Sequence, residues 1–263
     1  MSLPDMFSLK EKVAIVTGGA GHLGSAMSEG LAQAGANVCI ASRDEKKCKI
    51  LASKLSSEFG VKAIGLRLDI SSKTSIKSCF KSTYEEMGRI DILVNNAYFG
   101  EGGTMEEISE DAWNKGIDGT INGVFRCTQE VLPYMEENKA GSIINISSMY
   151  GIVSPDPKIY LNTEFGNPPN YGAGKAAIIQ LTRYAACYLG EKGIRVNCVS
   201  PGPFPAFDVQ KNKSFIEKLN NKVPLGRIGD KNELKGVIVF LASNASSYIT
   251  GANISVDGGW TAW

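Results

Sequence analysis

Apolar positions along this chain fall into two alternating patterns. Short unbroken runs rich in β-branched residues occupy 13–17, 38–42, 63–68, 92–94, 142–147, 195–200 and 253–256. Runs of this kind suit strands covered on both faces, hence a parallel sheet. Between them lie longer stretches whose apolar residues recur at helical spacing. Leu23, Met27, Leu31 and Ala34 share one such face, and 44–59, 72–87, 109–135, 171–190 and 231–243 read the same way. Ser72 and Ser109 stand where helix N-caps belong, and Gly35, Gly60 and Gly88 where helices end. Strands and helices alternating over short connections predict an α/β fold: a doubly wound parallel sheet in a single domain spanning 1–263.

Two stretches break the rhythm, 150–170 and 201–223, both rich in Pro, Asn and Gly. Each follows the carboxyl end of a predicted strand, where such sheets bind ligands. They are expected to be substrate-side loops. Residues 1–8 read as a flexible leader.

Composition narrows the partners. Apolar residues make up 43% of the chain, charged residues 21%, and the net charge is +1. Nothing in that balance recruits nucleic acid or an acidic membrane, so a small-molecule substrate is expected. The six cysteines form no CxxC pair and there is one histidine, so no metal site is expected. Most of the cysteines lie in apolar runs, which suits buried thiols in a reducing cytoplasm. No apolar run reaches the length of a membrane span, and the start lacks a secretion signal.

The chemistry begins at Thr17-Gly18-Gly19-Ala20-Gly21-His22-Leu23-Gly24, which links the first strand to the first helix. Glycines let a backbone approach a pyrophosphate closely, and the helix start offers free N–H groups and a positive dipole end. The glycine pattern alone is a weak signal. Its place between a strand and a helix strengthens it.

At the end of the second strand, an acidic residue would bind the ribose 2′-hydroxyl of NAD. Ser42 stands there instead, followed by Arg43, which suits the 2′-phosphate of NADP(H). A solvated Arg43 at the next helix start is the other reading. Asp44 would repel a phosphate if it pointed inward, so NAD(H) use stays open. Downstream, Tyr171 and Lys175 are four apart at a helix start, on one face and about 5–6 Å apart. A nearby ammonium lowers a phenol's pKa from about 10 and readies it for proton exchange.

The glycine turn, Asn95-Asn96-Ala97, Ser147-Ser148, Tyr171-x-x-x-Lys175, Pro201-Gly202 and Val256-Asp257-Gly258-Gly259 stand in the order found in short-chain dehydrogenases/reductases. The chain resembles that family over residues 9–259. The resemblance implies a Rossmann-type sheet of about seven strands in the order 3-2-1-4-5-6-7. It implies hydride transfer between NADP(H) and a carbonyl or secondary alcohol. Tyr171 and Lys175 would then move the proton, and Ser148, preferred over Ser147, would bind the oxyanion. The implied cofactor contacts are Thr17, Gly18, Gly21, His22, Leu23, Gly24, Ser42, Arg43, Asp69, Ile70, Asn96, Ala97, Tyr171, Lys175, Pro201 and Gly202. Family members often pair the helix carrying the tyrosine across a symmetric interface. The small residues Gly172, Ala173, Gly174, Ala176 and Ala177 suit a homotetramer or homodimer.

Four features depart from the family's common form. His22 replaces the middle glycine, giving the spacing of the sugar-nucleotide branch; it is expected to pack at the helix start. Tyr98 stands where a glycine is usual, as a wall of the substrate pocket or as core. Thr120 takes the place of the relay asparagine, and Asn122 lies on another helix face. Ser148 and Tyr171 are 23 positions apart, wider than the common form.

The extra length offers Asp156, Lys158, Tyr160, Asn162, Glu164 and Asn167. As a set over the reacting carbon they would suit a polyhydroxylated, sugar-like or sugar-acid substrate; as individuals they read equally as solvated loop residues. Phe204, Phe207 and Phe215 mark either a closing lid or a packed face. A 3-oxoacyl thioester is the second substrate class, and a sugar-nucleotide epimerase or dehydratase the third. A cofactor-binding sensor without turnover is the non-enzymatic alternative.

Overall fold

The computed structural model describes residues 2–263; Met1, first of the expected leader, lies outside them. In chain order the elements are α1 (Leu3–Phe7), β1 (Val13–Thr17), α2 (His22–Gln33), β2 (Asn37–Ser42), α3 (Glu45–Phe59) and β3 (Ala63–Arg67). Next come α4 (Lys73–Met87), β4 (Ile92–Asn95), α5 (Glu110–Ile117), α6 (Gly123–Glu137) and β5 (Gly141–Ile146). Then follow α7 (Pro157–Tyr160), α8 (Pro169–Leu189), β6 (Ile194–Pro201), α9 (Phe207–Gln210), α10 (Lys213–Lys222), α11 (Leu234–Ala242) and β7 (Asn253–Val256).

All seven strands run parallel in the order β3-β2-β1-β4-β5-β6-β7, the sheet the motif order implies. Alternate strand residues feed opposite cores, which is why the strands read as continuous apolar runs. Ala14 and Val16 of β1 join Met27 and Leu31 of α2, Leu55 of α3 and Ile238 of α11. Ile15, between them, joins Phe80 of α4, Val131 of α6 and Leu189 of α8 on the other face. β1 lies beside β4 rather than β3, so the direction of winding reverses there and a crevice opens at the carboxyl ends.

Helix ends follow their sequence signals. Ser72 accepts from the Ser75 N–H and Ser109 from that of Ala112. Gly60 and Gly88 take the left-handed φ of 67° and 77° that closes α3 and α4.

Three expectations change. The stretch read as a flexible leader contains α1, capped by Ser2, and Phe7 packs against Phe240 with ring centroids 6.3 Å apart. The helix expected over 109–135 is divided by a π turn, Asp118–Asn122, into α5 and α6. The stretches 150–170 and 201–223 are not plain loops, since they carry α7, α9 and α10. Phe165 lies 4.6 Å from Phe215, centroid to centroid, and Asp156 pairs with Lys222 at 2.7 Å. The two stretches thus form one packed cover beside the crevice.

Candidate active site

The glycine turn and the Asn95-Asn96-Ala97 segment are bonded directly to each other. Thr17 ends β1, and its hydroxyl accepts from the Asn96 and Ala97 N–H groups at 2.9 and 3.0 Å. The Asn96 amide returns bonds to the carbonyls of Thr17 and Gly18. Gly18 is left-handed at φ +64°, and a Cβ at Gly24 would run into the Gly18 carbonyl. No side chain caps the start of α2, so its first N–H groups have no such partner. Close backbone, uncapped helix and adjoining crevice make a cradle that fits a pyrophosphate.

Beside this cradle lies a cavity of about 240 Å³. It gathers Leu23, Asn96, Ser148, Tyr171, Lys175, Pro201 and Gly202, all expected from separate motifs, together with Tyr98 and Phe204. β5 delivers Ser148, β6 delivers Pro201 and Gly202, and the first turns of α8 deliver Tyr171 and Lys175. The two neighbouring serines differ in their partners. Ser147 donates to the Lys175 carbonyl at 2.7 Å, a structural tie. Ser148 instead faces the Tyr171 phenol and acts to lower its pKa. Its hydroxyl also accepts the Tyr150 N–H at 3.1 Å.

The electrostatics of the pair differ from the simple expectation. The Lys175 ammonium sits 5.5 Å from the Tyr171 ring centroid and donates to the Ile146 carbonyl at 2.8 Å. Burial pushes Lys175 down to about 8. Burial also raises the Tyr171 phenol above its usual range, against the Ser148 bond that lowers it. In this geometry desolvation dominates, and both groups are driven toward their neutral forms.

Thr120 is the expected catalytic residue that the structure does not bring into the cavity. It is buried, and its hydroxyl donates to the Gly116 carbonyl at 2.8 Å and that of Ile117 at 3.2 Å. A threonine this short satisfies itself on its own helix. Asn122 bonds Asp118 instead. His22 opens α2 near the backbone of Phe204 and Pro205; burial first, then Lys231, lowers its pKa.

Ser42 holds Asp44's carbonyl and lies 3.0 Å from the Cys48 sulfur, while Asp69 accepts from the Ser71 N–H and hydroxyl. Ile70 is buried behind α6, 2.7 Å from where a Gly123 Cβ would stand. Ser42, Arg43, Asp69 and Ile70 therefore stand at the carboxyl edge of β2 and β3, apart from the cavity that holds Tyr171 and Lys175.

A family model described as enoyl-(acyl carrier protein) reductase matches residues 18–261. The chain belongs to the short-chain dehydrogenase/reductase family. The sorbose reductase of Candida albicans is 36% identical over 261 residues, covering 98% of this chain and 89% of that protein. A 3-oxoacyl-(acyl-carrier-protein) reductase of Chlamydia muridarum is 35% identical, covering 95% and 98%. The solved gluconate 5-dehydrogenase of Burkholderia cenocepacia, in complex with NADP and tartrate, superposes with a TM-score of 0.88 at 30% identity, covering 100% of each chain.

Within this dehydrogenase/reductase frame, the long segment between Ser148 and Tyr171 behaves differently from its sequence reading. None of its six polar residues lines the cavity that holds Tyr171 and Lys175. Asp156 caps α7, and the Tyr160 hydroxyl lies 2.6 Å from that of Tyr150. Tyr160 and Asn167 face a separate, mostly apolar groove of about 940 Å³. Polarity marked these residues but says nothing about where a folded loop aims them.

Two supports escaped the sequence reading. Asn145 joins Asn95 and Thr182 at 2.9 Å each, fixing β4, β5 and α8 together. Asn170, directly before Tyr171, donates to the Ala112 carbonyl at 2.9 Å and tethers α5. A polar residue inside the apolar run of β5 was the signal for the first; nothing in the spacing gave the second.

Proposed function

We propose that this dehydrogenase/reductase uses NADP(H) to interconvert the carbonyl and secondary alcohol of a small hydroxylated substrate, of the sugar or sugar-acid class. The observation that carries the reading is a single cavity in which Tyr171, Lys175 and Ser148 meet Asn96, Pro201 and Gly202. Bound NADP(H) supplies or accepts the hydride. Tyr171 gives its phenolic proton to the substrate oxygen, or takes it back in the reverse direction. Ser148 donates a hydrogen bond to that oxygen, and the Lys175 ammonium stabilises the phenolate left behind. The absence of an acidic side chain at Ser42 supports NADP(H) over NAD(H). So does the Asp44 carboxylate, which turns back to accept the Lys47 N–H.

The sorbose reductase and the gluconate dehydrogenase among the relatives support the sugar class. The apolar groove beside Tyr150 and Tyr160 favours the second reading, a 3-oxoacyl thioester, whose chain it has room to hold. Consumption of NADPH with ketoses, keto-sugar acids and 3-oxoacyl thioesters separates the two. Turnover that vanishes in Tyr171→Phe while NADPH still binds supports the enzyme. NADPH binding without turnover on the whole panel points to the sensor.

The assembly proposed is a homodimer or homotetramer through α8. Its outer face carries Tyr184 and Tyr188, exposed at 66% and 62% and stacked on one another. The cell compartment proposed is the cytoplasm, where the buried thiols of Cys39, Cys48, Cys79, Cys127 and Cys198 stay reduced.

A further inference from the structure

We infer that Arg67, on β3, acts with Arg43 as a two-guanidinium clamp for the 2′-phosphate of NADP(H). The inference rests on the NADP(H) reading above and adds a residue outside every sequence motif. Three observations lead to it. First, Ser42 and Arg67 are directly paired across the β2–β3 ladder, so Arg67 stands one strand spacing, about 4.8 Å, from the residue that reads the ribose.

Second, Arg67 leaves the sheet on the same side as Ser42. Gly65, two residues earlier and so on the same face, is pressed against α3, where a Cβ would run into the Lys49 backbone. Ser42 points to α3 as well, at Cys48. Arg67 thus stands beside Ser42 at the carboxyl edge of β2 and β3, and Arg43 follows Ser42 at that same edge.

Third, the charges there are unbalanced. Among the described residues, neither Arg43 nor Arg67 has an ion-pair partner, although carboxylates are close. Glu45 is paired with Lys49 at 2.5 Å and Asp44 with Lys47 at 3.4 Å. Asp69 is occupied by Ser71 at 3.0 and 2.7 Å. Those Ser71 bonds hold Asp69 below the usual carboxylate range, with smaller pulls from Arg43 and then Arg67, so both guanidiniums are near enough to act on that carboxylate. Two adjacent unpaired cations repel, and a dianionic phosphate placed between them relieves that repulsion. The fork of each guanidinium matches phosphate oxygens geometrically, which an ammonium does not.

The test pairs the adenosine end alone, which stays away from the nicotinamide side, with the whole cofactors. Binding of 2′,5′-ADP and 5′-AMP is measured by calorimetry, and of NADPH and NADH by fluorescence, to the full chain and to Arg67→Ala, Arg67→Lys and Arg43→Ala. The expected result is a loss of about tenfold or more in 2′,5′-ADP and NADPH affinity in Arg67→Ala. 5′-AMP and NADH should stay within about twofold, and Arg67→Lys should recover only part of the loss. Equal weakening of phosphorylated and unphosphorylated ligands, or no change in either, overturns the role of Arg67. If the unmodified protein does not prefer NADPH to NADH, the cofactor reading falls as well; if it does and Arg67→Ala is silent, only this inference falls. Unchanged thermal melting of each variant confirms that the fold is retained.

Discussion

Lys175 should make the protein less stable than it would be without it. Its amine is fully buried, and burial lowers its pKa from an ordinary 10.5 to about 8. Between those values the unfolded chain binds a proton that the folded chain does not. Stability therefore rises with pH across that window. Below about pH 8 the ammonium is charged in both states and its full desolvation penalty is present. At 1.36 kcal/mol per pH unit the gap corresponds to about 3 kcal/mol. Replacing Lys175 by Met keeps the volume and removes the charge. It also removes the 2.8 Å bond to the Ile146 carbonyl, a loss of about 1 kcal/mol. Lys175→Met should then gain about 2 kcal/mol at pH 7, raising the melting temperature by about 4 °C for a chain of this size. By pH 10.5 the advantage should vanish and reverse by about 1 kcal/mol. Thermal melts of both proteins without cofactor at pH 7, 8.5 and 10 check this. A variant less stable at pH 7, or a difference that does not change with pH, would refute the burial argument. The same variant should have no measurable turnover, separating stability from function at one residue.

The adjacent serines should separate cleanly. Ser148→Ala should lower turnover by about 10²–10³ with little change in melting, whereas Ser147→Ala should cost about 1 kcal/mol in stability through its lost tie to Lys175, with NADPH binding kept. Gly24→Ala should abolish NADPH binding, because its Cβ meets the Gly18 carbonyl that shapes the cradle; fluorescence titration reads this, and normal affinity would sink the cradle reading. Tyr184→Asp with Tyr188→Asp should convert the assembly to monomers in light scattering, and an unchanged mass would move the interface elsewhere.

Much of this architecture was legible because its cause is local. A strand buried on both faces is apolar at most positions rather than at alternate ones, so β1, β4 and β5 announced themselves. The π turn at Asp118–Asn122 did not, because inserting one residue into a turn leaves the apolar spacing on either side nearly intact. α7, α9 and α10 escaped for another reason. They are short, and their apolar residues, Ile159 and Phe215 among them, serve a cluster between two distant segments rather than one helix face. In the site, Ser148, Tyr171 and Lys175 were readable from motif order. Arg67 was not, since its neighbour Ser42 lies 25 positions away and meets it only through strand register. That Thr120 would bond within its own helix was not readable either, because position in a motif does not reveal which acceptor a hydroxyl finds first.

The polar residues behind the cavity explain why its geometry can hold against the desolvation of Lys175. Asn145 lies in the core of the sheet, where an unsatisfied amide costs several kcal/mol. It persists because its carbonyl oxygen accepts from Asn95 and its amide donates to Thr182, both at 2.9 Å. Thr182 in turn donates to the Ile178 carbonyl of α8. The chain of bonds leaves β4, crosses β5 and ends on the helix that carries Tyr171 and Lys175. Apolar packing alone would let that helix slide by fractions of an ångström at little cost, whereas a directional bond in a dry core does not. Lys175 adds its own bond to Ile146 of β5, so helix and strand are tied at two points, Lys175 and Thr182, in the turns that follow Tyr171. The buried ammonium is thus held by the same strand that Asn145 fixes, and the site's precision comes from polar groups placed where the sheet would otherwise prefer hydrocarbon.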